Sequence, residues 1–304
     1  MQNTRYRALL LVLLIASMLC PVSAQVLDYR VQQSQHTTRP AVLYFPFTGT
    51  PWLGTQVRMI AASETISFEQ AAVQALVDGP DAPSDSLSPP FPPGTQVLSV
   101  QPEGDLLFVT FNEALLGRYP DETLPNDLAQ AQLRRRLAMA ALVNTLTERG
   151  EYRRVQVLVR AETNIRTSMR LAASYYLEDS DVLLDPLTRD EACILTPADA
   201  AKMTLDTWQK RDWRTLYDQM RDLRPSQDEV ARAFESSLRL VAYAASTGTV
   251  APDGISAVVS VTLDLQDDGG AVFSLPAFPL VLTRVGGVWR PQYESLLRMA
   301  AVRP

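Results

Sequence analysis

The sequence is poor in the side chains on which much enzyme chemistry depends. Its 304 residues include one histidine, His36, and two cysteines, Cys20 and Cys193. A facial-triad iron site and a multi-histidine zinc site need more imidazoles than this, and a catalytic triad would have to use His36, which lies in a polar tether. Any enzymatic activity would therefore rest on carboxylates, hydroxyls or phenols.

Positive charge and long hydrophobic runs are also scarce. The 28 Lys and Arg against 34 Asp and Glu give a net charge of −6, which argues against a general nucleic-acid binder. Hydrophobic residues make up 46% of the chain and charged residues 20%, which are ordinary values for a folded globular protein. The apolar run from Ala8 to Leu19 is shorter than the ~20 residues that a membrane-spanning helix needs.

The N-terminus carries a secretory signal pattern in residues 1–24. Arg5 and Arg7 precede the apolar run, and small residues at positions 22 and 24 form a cleavage site before Gln25. The pattern predicts export with cleavage after Ala24, to the extracytoplasmic cell envelope or the medium.

Cys20 raises the alternative of a lipoprotein, in which its sulfur is acylated. A bacterial lipobox has leucine three residues before the cysteine and a small residue just before it, whereas this chain has Ser17 and Leu19 there. Membrane attachment is expected only if Cys20 is lipidated or the signal is retained. After cleavage only Cys193 remains, so no intramolecular disulfide is expected.

The rest of the chain predicts two modules, as its length suggests at ~150 residues per domain. A polar tether covers residues 25–39, and an acidic linker at residues 181–194 separates a first module, 40–180, from a second, 195–304. Each module has its own capped helices and alternating strands, and each is expected to fold independently.

The first module has mixed α and β patterns. Helices are predicted after the Ser67 capping box and over about 127–149, and strands are predicted at 41–45, 55–60, 97–100, 106–111 and 155–159. The long helix carries Arg134, Arg135 and Arg136. Because consecutive helical residues diverge by ~100°, the three guanidinium groups should point in different directions and serve as salt-bridged or solvated surface.

The second module reads as helices followed by an antiparallel sheet. Caps at Thr196, Asp212 and Ser226 begin three helices, the last expected to continue through Val241. Alternation from Ile255 to Leu265 and a hairpin over 280–290 predict strands. This arrangement is α+β.

Several motifs of the first module resemble the GerMN domain of spore-germination and sporulation proteins and some envelope lipoproteins. They are Leu43-Tyr44-Phe45, Arg58, Ala75-Leu76-Val77-Asp78-Gly79-Pro80, Pro93-Gly94-Thr95, Val109-Thr110-Phe111-Asn112 and Asn144-Thr145-Leu146. The resemblance implies an α/β module of the ring-building type, without catalytic residues, that self-associates or docks partners. Arg160-Ala161-Glu162 departs from the pattern, because the family commonly has a glycine there.

The second module resembles the NTF2-like cone, in which helices pack on a curved antiparallel sheet. The resemblance rests on Trp208, Lys210-Arg211-Asp212-Trp213, Leu216-Tyr217 and Val285-Gly286-Gly287-Val288-Trp289-Arg290. Such cones can enclose a pocket, and five aromatic side chains are candidates to line it: Trp208, Trp213, Tyr217, Phe234 and Trp289. Their spacing equally fits core packing.

Together these features predict an exported, non-enzymatic envelope protein of sporulation or germination type. It would mediate protein–protein or cell-wall-associated assembly, including self-association, without a cofactor, a metal or nucleic acid. The alternative is a small-molecule binder, or an isomerase or dehydratase with a carboxylate base and a phenol donor. Its candidates are Asp212, Asp218 and Asp264 as base and Tyr217 and Tyr243 as donor. Glycan binding through Trp52 or Tyr119 is a third possibility.

Overall fold

The computed structural model describes residues 37–81, 86–124, 126–161, 167–220 and 225–303. Helices and antiparallel and parallel strands are mixed along these ranges, so the α+β class is confirmed. The predicted signal peptide, Cys20 and His36 lie outside the described residues. The last three residues of the predicted tether, 37–39, already belong to the first strand.

A separate antiparallel hairpin begins the first module. Strands β1 (Thr37–Pro46) and β2 (Leu53–Ala62) pair along their whole length, with Val42 opposite Val57. Helix α1 (Phe68–Asp78) follows and starts at the predicted cap, because the Ser67 hydroxyl accepts a hydrogen bond of 3.1 Å from the Gln70 N–H. It ends at Gly79, whose φ of 90° favours glycine.

A mixed sheet forms the other layer of this module. Its order is β3 (Val97–Glu103), β4 (Leu106–Asn112), β5 (Arg154–Arg160) and β6 (Met169–Arg170), and β7 (Leu187–Thr188) also pairs with β5. Strands β4 and β5 run parallel, joined through helix α2 (Leu128–Thr147), within two residues of its predicted span. Residues 137–147 of α2 are buried without interruption, because the helix contacts both the hairpin and the sheet.

The three consecutive arginines of α2 do diverge as predicted. Arg134, Arg135 and Arg136 pair with three different carboxylates, Asp121, Glu122 and Glu178. The expectation of a surface role fails for Arg135, which is only 4% exposed. Its guanidinium lies in the module interior because the side chain of Glu122, 1% exposed, is buried with it.

The predicted linker, residues 181–194, is part of the packed structure. Its strand β7 pairs with β5, and Asp190 exchanges hydrogen bonds of 2.8 and 2.9 Å with the Asn144 side chain. At its end, Ile194 forms a parallel bridge with Leu53 of the hairpin.

The second module contains three helices, an antiparallel sheet and a terminal helix. The elements are α3 (Pro197–Gln209), α4 (Trp213–Gln219), α5 (Gln227–Glu235), β8 (Arg239–Ala245), β9 (Thr249–Val250), β10 (Ser256–Gln266), β11 (Val272–Val285), β12 (Val288–Pro291) and α6 (Tyr293–Ala300). The sheet order is β12-β11-β10-β8, with β9 on β10, and all pairings are antiparallel. All three predicted helix caps are present.

Two details of this module differ from the sequence prediction. Helix α5 ends at Glu235 instead of continuing through Val241, and the Ser237 hydroxyl donates to the Phe234 carbonyl at the helix end. Val241 belongs to β8, where it is exposed while its neighbour Leu240 is buried, as strand alternation requires. The predicted strand also starts one residue too early, because Ile255 precedes β10 and is 53% exposed instead of sharing the buried face of that strand.

The two modules meet at a close backbone contact. The Thr55 N–H donates to the Gly287 carbonyl at 2.9 Å, and a Cβ added to Gly54 would lie 2.8 Å from that same oxygen. Nearby, the Arg290 guanidinium donates to the Ser86 hydroxyl at 2.6 Å. Residues from 36 onward belong to one compact unit, and independent folding of each module stays a prediction.

Candidate functional site

The five aromatic candidates for a ligand pocket pack with the protein core. Trp208 and Phe234 are 1% and 0% exposed and meet edge to face, with ring centroids 5.5 Å apart. Trp213 lies 5.9 Å from the same Phe234 ring, and Tyr217 packs against the core cluster. Trp289 borders a cavity of about 20 Å³, close to the space of one water molecule. A ligand-binding role for these residues stays a prediction, and the packing accounts for their burial without one.

The three candidate bases lie at separate structural positions. Asp212 is exposed and caps α4, and hydrogen bonds from Thr215 hold the pKa of its carboxyl below the ordinary value. Asp218 is exposed, and Asp264 accepts a hydrogen bond from Ser274 across the β10–β11 hairpin. A depression of about 440 Å³ near that hairpin is lined by Arg211, Glu235 and Asp267, among others, but by none of the three candidate bases.

The described residues contain two carboxylate–phenol pairs, Tyr44 with Glu148 and Tyr243 with Asp206, and neither carboxylate is among the bases predicted from the sequence. The Tyr243 hydroxyl donates to the carboxylate of Asp206 on α3. Desolvation, assisted by this hydrogen bond, raises the pKa of Tyr243. The sequence pattern predicts no strand over residues 239–245, and only the packing of α3 on β8 shows which carboxylate Tyr243 meets.

The remaining nucleophile and the aromatic glycan candidates are also occupied by structural contacts. Burial raises the pKa of the Cys193 thiol to about 12, so it stays protonated at neutral pH. Tyr119 is 7% exposed, and its hydroxyl donates to the Pro90 carbonyl at 2.7 Å. Trp52 is half-buried against the core.

A largely exposed apolar surface lies on the β1–β2 hairpin, which we call the hairpin face: Pro40, Val57, Met59 and the half-buried Val42. The side chains of Val57 and Met59 are 68% and 63% exposed, and the register places them opposite Val42 and Pro40. In a strand with one solvated face, the apolar residues usually lie on the face that packs against the core. Here Gln56 and Arg58 point inward instead, so the usual alternation of β2 is inverted.

The inversion has a cause in the side-chain contacts of Arg58. Its guanidinium donates to the Gly79 carbonyl at 2.8 Å, pairs with Asp81 at 2.9 Å and lies 5.2 Å from the centre of the Phe45 ring. These contacts fix the C-terminal end of α1 to the inner surface of β2. Val57 and Met59 are consequently directed to solvent.

The backbone of β2 adds hydrogen-bonding capacity to the hairpin face. Among the described residues, β2 pairs along its length only with β1. Since the Thr55 N–H points away from β1 to Gly287, the period of two directs the backbone groups of Val57, Met59 and Ala61 the same way. Natural edge strands are usually protected by lysine, proline, a bulge or an inward-pointing charge. β2 has neither lysine nor proline, and its inward charge, Arg58, is paired with Asp81. The arrangement can accept an added strand.

Comparison with known proteins places this surface inside a family match. Residues 42–163 match the family model described as Germane, sporulation and spore germination. The matched segment is less than half of the chain, and it contains β2 and the second half of β1. Comparison with curated proteins gave no match.

Solved structures with partial similarity carry related descriptions. The tandem GerMN domains of the sporulation protein GerM from Bacillus subtilis are 16% identical, with a TM-score of 0.32 over 50% of this chain and 46% of that one, so this chain spans under half of that structure. The first GerMN domain of the same protein is 16% identical, with a TM-score of 0.35 over 50% of this chain and 98% of that one. A putative lipoprotein from Clostridium perfringens is 17% identical, with a TM-score of 0.27 over 50% of this chain and 87% of that one. Similarities of this size do not by themselves establish a shared fold or function.

None of the described helices is both long and apolar enough to cross a bilayer. No group of three or more His, Cys, Asp or Glu side chains in the described part of the chain is arranged to hold a metal ion.

Proposed function

We propose that this chain is an exported, non-enzymatic cell-envelope protein that mediates assembly in a sporulation or germination process. The family match over residues 42–163 supports the process. The signal pattern of residues 1–24 supports export, and the structural roles of the candidate bases support a non-enzymatic protein. The partner is another envelope protein, a second copy of this chain or a cell-wall-associated component.

The hairpin face is the observation that carries this proposal. A partner strand placed along β2 would use the outward backbone groups of Val57, Met59 and Ala61 for hydrogen bonds, and the apolar side chains for contact area. This mode of recognition obtains affinity from main-chain hydrogen bonds and specificity from alternate side chains. The contacts of Arg58 keep the strand in its bound conformation beforehand, which lowers the entropic cost of association.

In this proposal the second module is an NTF2-like cone that supports the first module. Helices α3 to α5 pack beside an antiparallel sheet whose strand β10 has two register shifts, which are features that bend a sheet. Its aromatic core is filled, and the short contacts at Gly54 and Gly287 connect it to the hairpin. It would orient β2 for docking.

The proposal is tested with the full chain carrying Val57→Glu and Met59→Glu together. Two carboxylates at the hairpin face should abolish both concentration-dependent self-association, measured by sedimentation velocity, and the complex recovered by crosslinking and mass spectrometry from the envelope fraction. The matched control is Val182→Glu, because Val182 is 70% exposed but lies outside the hairpin. Equal complex recovery from both variants, each folded and exported, would refute docking at β2.

A further inference from the structure

A cavity of about 390 Å³ lies in the first module between α1, a proline-rich loop at residues 88–95 and the start of α2. Its walls are mainly proline rings together with Val77, Phe91 and Tyr119. The volume falls in the range of ~300–1,000 Å³ typical of small-molecule sites. Neither Val57 nor Met59 lines it, so it is distinct from the hairpin face.

The shape of this cavity is fixed by its own hydrogen bonds. Proline restricts φ and has no N–H, so the loop presents rigid apolar rings and carbonyl groups. The Tyr119 hydroxyl donates to the Pro90 carbonyl, and the Thr95 hydroxyl donates to the Pro92 carbonyl, both at 2.7 Å. The buried pair of Arg135 and Glu122, 2.8 Å apart, fastens the segment that carries Tyr119 to α2.

Among the described side chains that line the cavity, Arg134 supplies the one charged donor group. Its guanidinium lies 5.3 Å from the centre of the Tyr119 ring, and its side chain is 31% exposed. It donates two hydrogen bonds to the carboxylate of Asp121, which also lines the cavity and is 65% exposed. A guanidinium has five N–H donors. A second acceptor can therefore bind Arg134, or replace the exposed Asp121.

From this arrangement we infer that the cavity binds a small amphiphile: an apolar body that fills the proline-lined space and one anionic group that binds Arg134. The apolar walls give affinity through buried area. The guanidinium gives selectivity for a planar or tetrahedral anion, since it offers paired donors. Asp121 competes with the ligand for the same donors and sets the affinity for the anion.

The test uses two fluorescent probes that differ mainly in charge. 1-Anilinonaphthalene-8-sulfonate has an aromatic body and a sulfonate, and N-phenyl-1-naphthylamine has a similar body without the anion. Both are titrated into the full chain, and their dissociation constants are compared by fluorescence. The native protein should bind both probes and prefer the sulfonate.

Three variants separate the contributions of the walls and the charge. Arg134→Gln should weaken binding of the sulfonate by roughly fivefold to tenfold, as expected for one partly exposed charge-assisted contact, and leave the neutral probe unchanged. Asp121→Asn should strengthen sulfonate binding, because the competing carboxylate is gone. Val77→Phe should weaken both probes, because the added ring occupies the cavity.

The matched control is Arg136→Gln, since Arg136 lies on the same helix but does not line the cavity. It should change neither probe. If Arg134→Gln and Asp121→Asn leave the ratio of the two dissociation constants at its native value, the charge assignment is overturned. If a folded Val77→Phe variant binds both probes as the native protein does, the cavity is not their site. Should Val77→Phe fail to fold, the ratio of the two dissociation constants in Arg134→Gln and Asp121→Asn decides whether the probes bind in this cavity. None of these outcomes depends on docking at β2.

Discussion

The two modules bury different kinds of side chain. The first module has charged and amide groups inside, including the pair Arg135 and Glu122 and the side chain of Asn144. The interior of the second is largely aromatic and aliphatic around Trp208 and Phe234, and the inward positions of β10 are all apolar. Its buried charged side chain, Arg290, lies at the contact with the first module. Both the hairpin face and the proline-lined cavity belong to the first module. In the proposed function, recognition belongs to the first module and support to the second.

The largest expected effect tests whether the second module has a filled core. Phe234→Ala should lower the free energy of unfolding by about 4 kcal/mol, because the ring is fully buried between two tryptophans. Urea denaturation measures this free energy. The control is Val241→Ala on the exposed surface of β8, which should cost under ~0.5 kcal/mol. A loss below about 1 kcal/mol for Phe234→Ala would show loose packing and favour an open pocket.

The next effect tests the buried charge of the first module. Arg135→Met should cost about 3 kcal/mol, because it leaves the Glu122 carboxylate buried without its partner. Adding Glu122→Leu should recover most of this loss, since an apolar pair satisfies the same space. Arg136→Met serves as the control, because Arg136 is exposed and its ion pair is long, at 3.5 Å. If the double variant is no more stable than the single, charge burial is not the cause.

A smaller effect tests the contact between the modules. Gly54→Ala should cost about 2 kcal/mol, because the new methyl group would lie 2.7 Å from a Leu87 methyl and 2.8 Å from the Gly287 carbonyl oxygen. Gly269→Ala is a suitable control, because its nearest contact is a side-chain oxygen 3.3 Å away. Calorimetry on both variants checks this. Equal melting temperatures of the Gly54→Ala and Gly269→Ala variants would show that the contact between the modules contributes little, and this would favour independent folding.

The smallest effect concerns pH. Burial raises the pKa of Glu122, but hydrogen bonds from Arg135 and the Tyr119 N–H outweigh it, so the native pKa lies below the ordinary value. The stability from this group is therefore complete above the unfolded pKa of ~4.3 and is lost as the pH falls through the native pKa. In Arg135→Met the Tyr119 N–H still opposes the effect of burial, but the pKa of Glu122 should rise, so the variant should lose less stability than the native protein as the pH falls through this range. Denaturation between pH 3 and 7 compares the profiles, and parallel curves would contradict the assignment.

Local sequence signals predicted most of the elements of both modules. The caps at Ser67, Thr196 and Ser226 and the alternation of β10 follow from short-range chemistry, and all are present. Helix α5 was extended too far, because the spacing of Val241 fits a helical period as well as a strand. The short strand β7 was missed, because two residues carry no periodicity.

The functional surfaces depended on tertiary contacts that the sequence does not show. Alternation alone would place Val57 and Met59 inside, and only the contacts of Arg58 with Gly79 and Asp81 explain why they face solvent. The cavity likewise needs the proline-rich loop, Val77 and Arg134 to meet from separate parts of the chain. The prolines at positions 89, 90, 92 and 93 predict an irregular loop, but they do not predict the space that it encloses.

The most direct test of the assembly role is photocrosslinking in the cell from position 59. A photoreactive phenylalanine analogue replaces Met59 in the full chain, and the same analogue at Val182 provides the exposed control. We expect irradiation to give a discrete adduct from position 59, identified by mass spectrometry as an envelope protein or a second copy, and no such adduct from position 182. An exported, folded protein that gives no adduct from position 59, or the same adduct from both positions, would contradict docking on β2.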